Sequence, residues 1–191
     1  TYVGKLEAIA SVLYTLRPFL REFWGALYQK DTGAPANCIW KAQVELGLAW
    51  MKAFLELCFE GPLQRRFTVL QHLNRGDAII IMTDASPWGM GAVIFVNGVP
   101  WEFFAIRITA HDQLTLGIDA GDSTGQQAWE SLTLLIALRQ WAWIWKEKRF
   151  MITVKADNVT ALTMIQKLKA SGTATAIIAR EMALDLSRSE Y

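Results

Sequence analysis

The chain of 191 residues is poor in the features that mark several protein classes. Its two cysteines, Cys38 and Cys58, are too few for a disulfide scaffold or a zinc site, so we predict reduced core thiols in an intracellular protein. No stretch resembles a signal peptide. The most apolar helical pattern, from Trp129 to Trp145, is interrupted by Arg139-Gln140 and is too short to span a bilayer, so we expect no membrane partner.

The net charge is also small. A formal net charge of +1 does not mark a nucleic-acid binder, although it leaves room for a local basic patch. The hydrophobic fraction of 52% supports a sizeable core and excludes an intrinsically disordered chain. Because the chain starts at Thr1 without a methionine and enters a helical pattern at once, we expect a piece of a longer polypeptide.

The first third of the sequence predicts helices. Apolar residues recur at three- and four-residue spacing over residues 2–29 and again from about Ile39 to Phe59. Pro18 should break the first pattern into two helices, because proline removes a hydrogen-bond donor and clashes with the preceding turn. Residues 63–77 show little periodicity. We therefore predict a helical appendage at 1–62, a linker at 63–77 and a further domain at 78–191.

The rest of the sequence alternates between strand and helix patterns. Strand four should lie beside and parallel to strand one, because a helix connects it to strand three with the usual right-handed crossover. The prediction is a mixed α/β sheet, an antiparallel three-strand meander plus a parallel fourth strand, with flanking helices. The predicted strands are Ala78 to Thr83, Gly91 to Asn97, Trp101 to Ile108 and Phe150 to Ala156; Thr109 to Gly125 is a predicted loop, and the predicted helices are Gln126 to Lys148, Val159 to Ala170 and Thr173 to Ser189.

Three acids occupy special positions in this pattern. Asp84 follows strand one and Asp157 follows strand four, so both carboxylates should emerge at the same edge of the sheet. Glu130 lies near the start of the apolar helix, on a face that should point at the sheet. Converging carboxylate oxygens suit Mg2+ or Mn2+, and two such ions about 4 Å apart suit phosphodiester hydrolysis. Paired carboxylates also serve glycoside hydrolysis, but the third acid favours metal.

Each acid also has a plainer interpretation. Asp84 is compatible with a turn former, Glu130 with an acid that complements a helix dipole, and Asp157 with a helix N-cap. The basic clusters Lys146–Arg149 and Lys167–Lys169 are ordinarily solvated faces, or would follow the phosphates of a nucleic acid. The nine tryptophans are mainly core residues, some of which would pack on missing domains.

Each of the three acids lies in a longer motif. The motifs are Thr83-Asp84-Ala-Ser-Pro-Trp-Gly89-Met-Gly91-Ala-Val, Ala128-Trp-Glu130-Ser-Leu and Ala156-Asp157-Asn158-Val-Thr-Ala-Leu. Together these motifs resemble the ribonuclease H domain of retroelement reverse transcriptases, in detail that of DIRS-like and LTR-type elements. The upstream segments Val3–Leu6 and Leu16–Leu20 are similar to the thumb and connection helices that precede that domain.

The resemblance implies metal-dependent hydrolysis of the RNA strand of RNA–DNA hybrids. Asp84, Glu130 and Asp157 would bind two Mg2+ or Mn2+ ions, Ser86 and Asn158 would contact the substrate, and the remaining reverse transcriptase domains would be partners. The family adds a fourth acid after a fifth strand. Asp185 is the nearest acid of that type, but it lies within a predicted helix that precedes that strand.

Two alternatives remain open at this point. The missing fourth acid favours a non-catalytic module that binds hybrid or scaffolds the polymerase. Another nuclease or a transposase of the same superfold is a further alternative, because a fold by itself does not define an activity.

Overall fold

The protein is a mixed α/β structure built on one four-stranded sheet. The computed structural model describes residues 2–29, 32–35, 38–59, 69, 73, 78–145, 151–170 and 172–188. The strands lie in the order β3-β2-β1-β4; β1, β2 and β3 form an antiparallel meander, and β4 runs parallel to β1. This confirms the predicted sheet. The strands are β1 Ile79–Ser86, β2 Gly89–Val96, β3 Val99–Arg107 and β4 Ile152–Lys155.

The first hairpin is longer than the sequence pattern predicts. Strand β1 continues through Asp84, which pairs with Gly91, so the prediction that the strand ends before this acid is wrong. Only Pro87 and Trp88 form the turn, because the Ser86 hydroxyl accepts hydrogen bonds from the backbone N–H groups of Trp88 (3.3 Å) and Gly89 (3.1 Å). These bonds let the ladder extend into a segment rich in turn-forming residues.

The turn between β2 and β3 confirms the hairpin predicted at Asn97-Gly98. Both residues have positive φ, 54° and 82° respectively. Asparagine and glycine tolerate this conformation better than other residues, and it matches the twist of the flanking strands. The carboxamide oxygen of Asn97 also accepts a hydrogen bond from the Ala78 N–H at 2.9 Å, which ties the turn to the start of β1.

The N-terminal helices follow the predicted pattern. Pro18 lies inside a 3₁₀ segment that separates two helices, as predicted. The third helix begins at Lys41, close to the predicted start. The elements are α1 Tyr2–Val12, the 3₁₀ segment Tyr14–Leu20, α2 Arg21–Tyr28 and α3 Lys41–Phe59.

The predicted loop at Thr109–Gly125 contains two helical segments, so that prediction is wrong. Helix α4, Ala110–Leu116, begins with a capping box in which Thr109 and Asp112 exchange side-chain and backbone hydrogen bonds. It ends at Gly117, whose φ of 65° is the left-handed conformation of a helix C-cap. A 3₁₀ turn, Ser123–Gly125, then leads into the next helix.

Helix α5, Gln126–Gln140, is the buried helix that the sequence predicts, but it ends eight residues before the predicted Lys148. Trp141 follows it, and the Trp141 indole N–H donates to the Glu102 carboxylate at 2.9 Å, which fixes the chain against β3. Helix α5 packs on β1 and β2 and against the last two helices. These are α6 Val159–Lys167 and α7 Thr173–Arg188.

The N-terminal helices pack on α7 through a buried charge. Arg180 is 2% exposed and forms an ion pair with Glu22, donates to the Pro18 carbonyl and lies 5.8 Å from the centroid of the Trp50 ring. One cluster of buried apolar side chains includes residues of both the helices and the sheet. The division at residues 62 and 77 stays a prediction, since most of the predicted linker lies outside the described residues.

The structure tests the predictions about the cysteines and about a membrane-spanning helix. Cys38 is exposed, so the prediction of a core thiol is wrong for this residue; it lies in a short non-helical segment before α3. The side chain of Cys58 lies outside the described part. Among the described residues, no helix combines the length and apolar character needed to cross a membrane.

The buried ion pair predicts a large effect on stability. Glu22→Gln leaves the Arg180 guanidinium buried without its charged partner, and we expect a loss of about 3 kcal/mol in the free energy of unfolding, measured by urea denaturation. Glu45→Gln is the matched control, since its pair with Lys41 is exposed and should contribute no more than about 0.5 kcal/mol. Equal losses for the two variants would contradict the assignment.

Candidate metal centre

The sheet brings two of the predicted acids to one edge. Met82 and Lys155 form the last pair of the parallel ladder between β1 and β4. Asp84 and Asp157 each lie two residues beyond this pair, so they occupy neighbouring positions just past the end of the parallel ladder. Both side chains are exposed. The predicted convergence of these carboxylates is therefore confirmed.

The third acid enters from α5 and is buried. Glu130 is 3% exposed, and its Oε1 accepts hydrogen bonds from the Ala85 N–H (3.3 Å) and the Gln126 side-chain amide (2.9 Å). The same amide donates to the Ala85 carbonyl, so Gln126 clamps the start of α5 to β1. Glu130 Oε2 is buried and has no hydrogen-bond partner among the described residues.

Together the three acids form a compact set of oxygen donors. Asp84, Glu130 and Asp157 each offer one carboxylate oxygen, and these oxygens lie within 4.8 Å of one another. Hard divalent cations such as Mg2+ and Mn2+ prefer such ligands. The unpaired Oε2 of Glu130 fits this interpretation, because a buried carboxylate oxygen without a partner costs free energy that a cation would offset. The triad can therefore hold a divalent cation.

Electrostatics at the triad favours a cation. Burial raises the pKa of Glu130 above its ordinary value, and the negative charges of Asp157 and Asp84 raise it further. The hydrogen bonds from Gln126 and from the Ala85 N–H oppose this shift. A divalent ion would counteract the effects of burial and of the two neighbouring charges on Glu130, because a cation stabilises the charged form of its carboxylate ligands.

Asp185 does not join the triad. Its carboxylate accepts hydrogen bonds from Arg139 Nε at 2.6 Å and Arg139 Nη2 at 3.2 Å, and the same guanidinium also binds Glu181 at 2.6 Å. These bonds connect α5 with α7. Among the described residues, the group of converging acids thus has three members.

The two residues predicted to contact the substrate lie within two positions of an aspartate of the triad. Their side chains form hydrogen bonds within the protein. The Ser86 hydroxyl holds the hairpin turn described above. Asn158 is the N-cap of α6, and its carboxamide oxygen accepts from the N–H groups of Thr160 and Ala161 at 3.0 Å each. Their roles toward a substrate stay predictions.

One residue of the site was not predicted from the sequence. Gln126 connects Glu130 to the backbone of β1, and no other described side chain donates to this carboxylate. The available signal was its position four residues before Glu130, since residues at that spacing share one face of a helix. An amide on a face that is otherwise apolar requires a partner, and Glu130 and Ala85 provide it.

Comparisons with protein-family models, curated proteins and solved structures find no match for this chain. What the site can do is therefore inferred from its own geometry. Two carboxylates lie at a sheet edge, a third is buried beside them, and one of its oxygens is unpaired. These three observations support metal binding.

Metal binding is directly measurable. Mn2+ at tenfold its dissociation constant should raise the free energy of unfolding by about 1.4 kcal/mol, because the ion binds the folded state. Asp84→Asn and Asp157→Asn should each weaken Mn2+ binding at least about tenfold in calorimetry, as loss of a ligand should cost no less than loss of a supporting residue. Asp119→Asn, an exposed aspartate outside the triad, is the control. Unaltered Mn2+ affinity in the triad variants would exclude the site.

The raised pKa of Glu130 predicts how stability depends on pH without metal. The folded protein retains this proton to a higher pH than the unfolded chain, so the contribution of Glu130 to stability should fall as pH rises from the ordinary value of 4.5 through the raised pKa. Glu130→Gln removes the titrating group. The stability of this variant relative to the wild type should therefore increase over that window, measured by urea denaturation in chelator, and a constant difference would contradict the prediction.

Proposed function

We propose that this chain is a ribonuclease H-like module of a retroelement reverse transcriptase, which hydrolyses the RNA strand of RNA–DNA hybrids with Mg2+ or Mn2+. The observation that carries the proposal is the convergence of Asp84, Glu130 and Asp157 within 4.8 Å. The antiparallel meander with a parallel fourth strand is compatible with that fold. The three motifs that resemble the family contain these same acids in the same order.

The proposed roles follow from how each acid is held. Glu130 has a fixed position, because Ala85 and Gln126 restrain its Oε1, whereas Oε2 has no hydrogen-bond partner among the described residues. Asp84 and Asp157 are exposed, so they can bind ions that also contact a phosphodiester in solvent. When bound, two divalent ions supply an activated water and stabilise the leaving oxygen.

An exposed aromatic residue in the turn after β1 would extend the proposed binding surface. Trp88 is 68% exposed and lies in the turn that follows β1, four positions after Asp84. Its ring is held against the loop at Gly121, where an added Cβ would lie 2.5 Å from a ring atom. Exposed aromatic rings offer bases or sugars a surface without sequence preference. Trp88 is therefore compatible with nucleic acid as the substrate.

A second candidate function is hybrid binding without cleavage, as a scaffold for the polymerase. The observation that favours it is that Asp185 is engaged by Arg139, which leaves three converging acids in the described part of the chain. The two functions differ in one measurable property, because a scaffold binds hybrid with no requirement for the carboxylates of the triad.

Cleavage of a labelled RNA–DNA hybrid in Mg2+ tests the proposal. We expect cuts in the RNA strand alone, with no cleavage of duplex DNA, because the enzyme must detect the 2′-hydroxyl. Asp84→Asn should reduce the rate by about a hundredfold or more, since it removes a ligand of the metal. Asp119→Asn should cleave like the wild type.

Two outcomes would refute the nuclease. Cleavage that survives Asp84→Asn would show that the activity lies elsewhere or in a contaminant. Hybrid binding with no cleavage in either Mg2+ or Mn2+ would favour the scaffold.

A further inference from the structure

A cavity lined by apolar and charged side chains lies between the N-terminal helices and the end of α6. Its volume is about 270 Å³, and three cations line it: Arg17 and Arg21 from the N-terminal part, and Lys169 from the segment after α6. Of the described residues that line it, Glu7 is the only acid. Three positive charges on one small cavity repel one another, and an anion would relieve that repulsion.

The cations are arranged to receive an anion. Arg21 is oriented by the bond from its Nη1 to the Gly172 carbonyl at 2.7 Å, which leaves its other nitrogens for a ligand. Arg17 and Lys169 form no hydrogen bond or ion pair with any residue that the structure describes. A guanidinium binds phosphate oxygens through a planar pair of N–H groups, and an ammonium adds a point charge.

The acid in the lining of the cavity, Glu7, is partly engaged by a neighbouring side chain. Glu7 is exposed, and its Oε2 accepts the indole N–H of Trp24 at 3.0 Å, so one carboxylate oxygen is already engaged. Trp24 stacks on Tyr28 with the ring centroids 5.7 Å apart. The wall thus gives a partly buried aromatic surface next to the three cations, which suits a phosphate group attached to a sugar.

An unusual backbone conformation places one of the cations. Leu168 has a φ of 49° although it is neither glycine nor asparagine, and its side chain is completely buried. Such conformations persist where the surrounding packing enforces them, and they are frequent at functional sites. Here the left-handed residue ends α6 and turns the chain so that Lys169 lines the cavity.

Helix α6 connects this cavity with the acidic triad. It follows Asp157 and Asn158 directly and ends at Lys167, nine residues that extend about 13 Å at 1.5 Å per residue. The two sites are thus roughly 15 Å apart along the helix, or about four base pairs of a duplex at 3.4 Å per step. A nucleic acid bound at the triad is long enough to reach the cavity.

We propose that the cavity of Arg17, Arg21 and Lys169 binds a backbone phosphate of the polynucleotide whose RNA strand is cut at the triad. The choice of polynucleotide rests on the proposed function, whereas the affinity for phosphate rests on the cavity alone. The cavity would fix the register of the duplex on the protein without reading its sequence, as phosphate contacts do.

Binding of a short labelled RNA–DNA hybrid, followed by fluorescence anisotropy in metal-free buffer between about 50 and 200 mM salt, tests the proposal. The double variant Arg17→Gln/Lys169→Gln should bind roughly tenfold more weakly at the low end of this range. Its slope of log affinity against log salt should be smaller by up to about two, because each lost phosphate contact contributes about one. Arg17→Lys/Lys169→Arg keeps both charges and should retain most of the affinity.

A charge-matched control separates the cavity from net charge. Lys5→Gln/Lys52→Gln removes two exposed cations of the N-terminal helices that do not line the cavity, and it should change the affinity less than about twofold. Equal weakening by both double variants, or none by the cavity variant, would overturn the proposal. A thermal melt of each variant confirms folding, which we expect because Lys169 is exposed and the Arg17 side chain forms no hydrogen bond or ion pair with the described residues.

The source of the phosphate is tested with inorganic phosphate and a nucleoside monophosphate as competitors. If the cavity variant loses binding of these small anions but keeps its full affinity for hybrid, the polynucleotide is the wrong ligand. Cleavage assays distinguish the two proposals. A wild type that binds hybrid through the cavity but does not cut refutes only the nuclease, whereas normal cutting with unchanged affinity in the cavity variant refutes only the cavity.

Discussion

The carboxylate of Glu130 is buried at the edge of the sheet, almost out of contact with water. The position of α5 depends on the hydrogen bonds that this carboxylate accepts. Its Oε1 is bound by the Ala85 N–H and by Gln126, which also bonds to the Ala85 carbonyl. The start of the helix is thereby fixed to β1. The remaining oxygen is buried without a hydrogen-bond partner among the described residues, which is unfavourable for the protein by itself and favourable for a cation bound by the triad.

The sheet order and the three acids were predictable because each depends on a pattern within a short stretch of sequence. An apolar run followed by a carboxylate occurs twice, at Asp84 and Asp157, and a helical pattern lies between the two runs. The handedness rule for crossovers then places the runs side by side. Glu130 was identifiable as the acid on an otherwise apolar helix face. No tertiary information was needed for any of these steps.

Element boundaries were less predictable because they depend on hydrogen bonds that the residue pattern does not show. The hydroxyl of Ser86 stabilises a two-residue turn, so β1 extends past Asp84. Helix α4 is short, and its sequence resembles a polar loop. It depends on the capping box of Thr109 and Asp112. The end of α5 is fixed by the bond between Trp141 and Glu102, residues 39 positions apart. The hydrogen bond from Gln126 to the Ala85 carbonyl is likewise a contact between residues far apart in the sequence.

The parallel pairing of β1 with β4 has a consequence for the order of folding. Ile79 pairs with Ile152, 73 positions later in the chain, whereas both hairpins of the meander close over short turns. Closing the longer loop costs more chain entropy, so local pairs should form first and this one late. Because Asp157 reaches Asp84 only through that pairing, the three carboxylates can meet only after this long-range contact has formed. A metal ion would then bind only molecules in which β4 has joined the sheet.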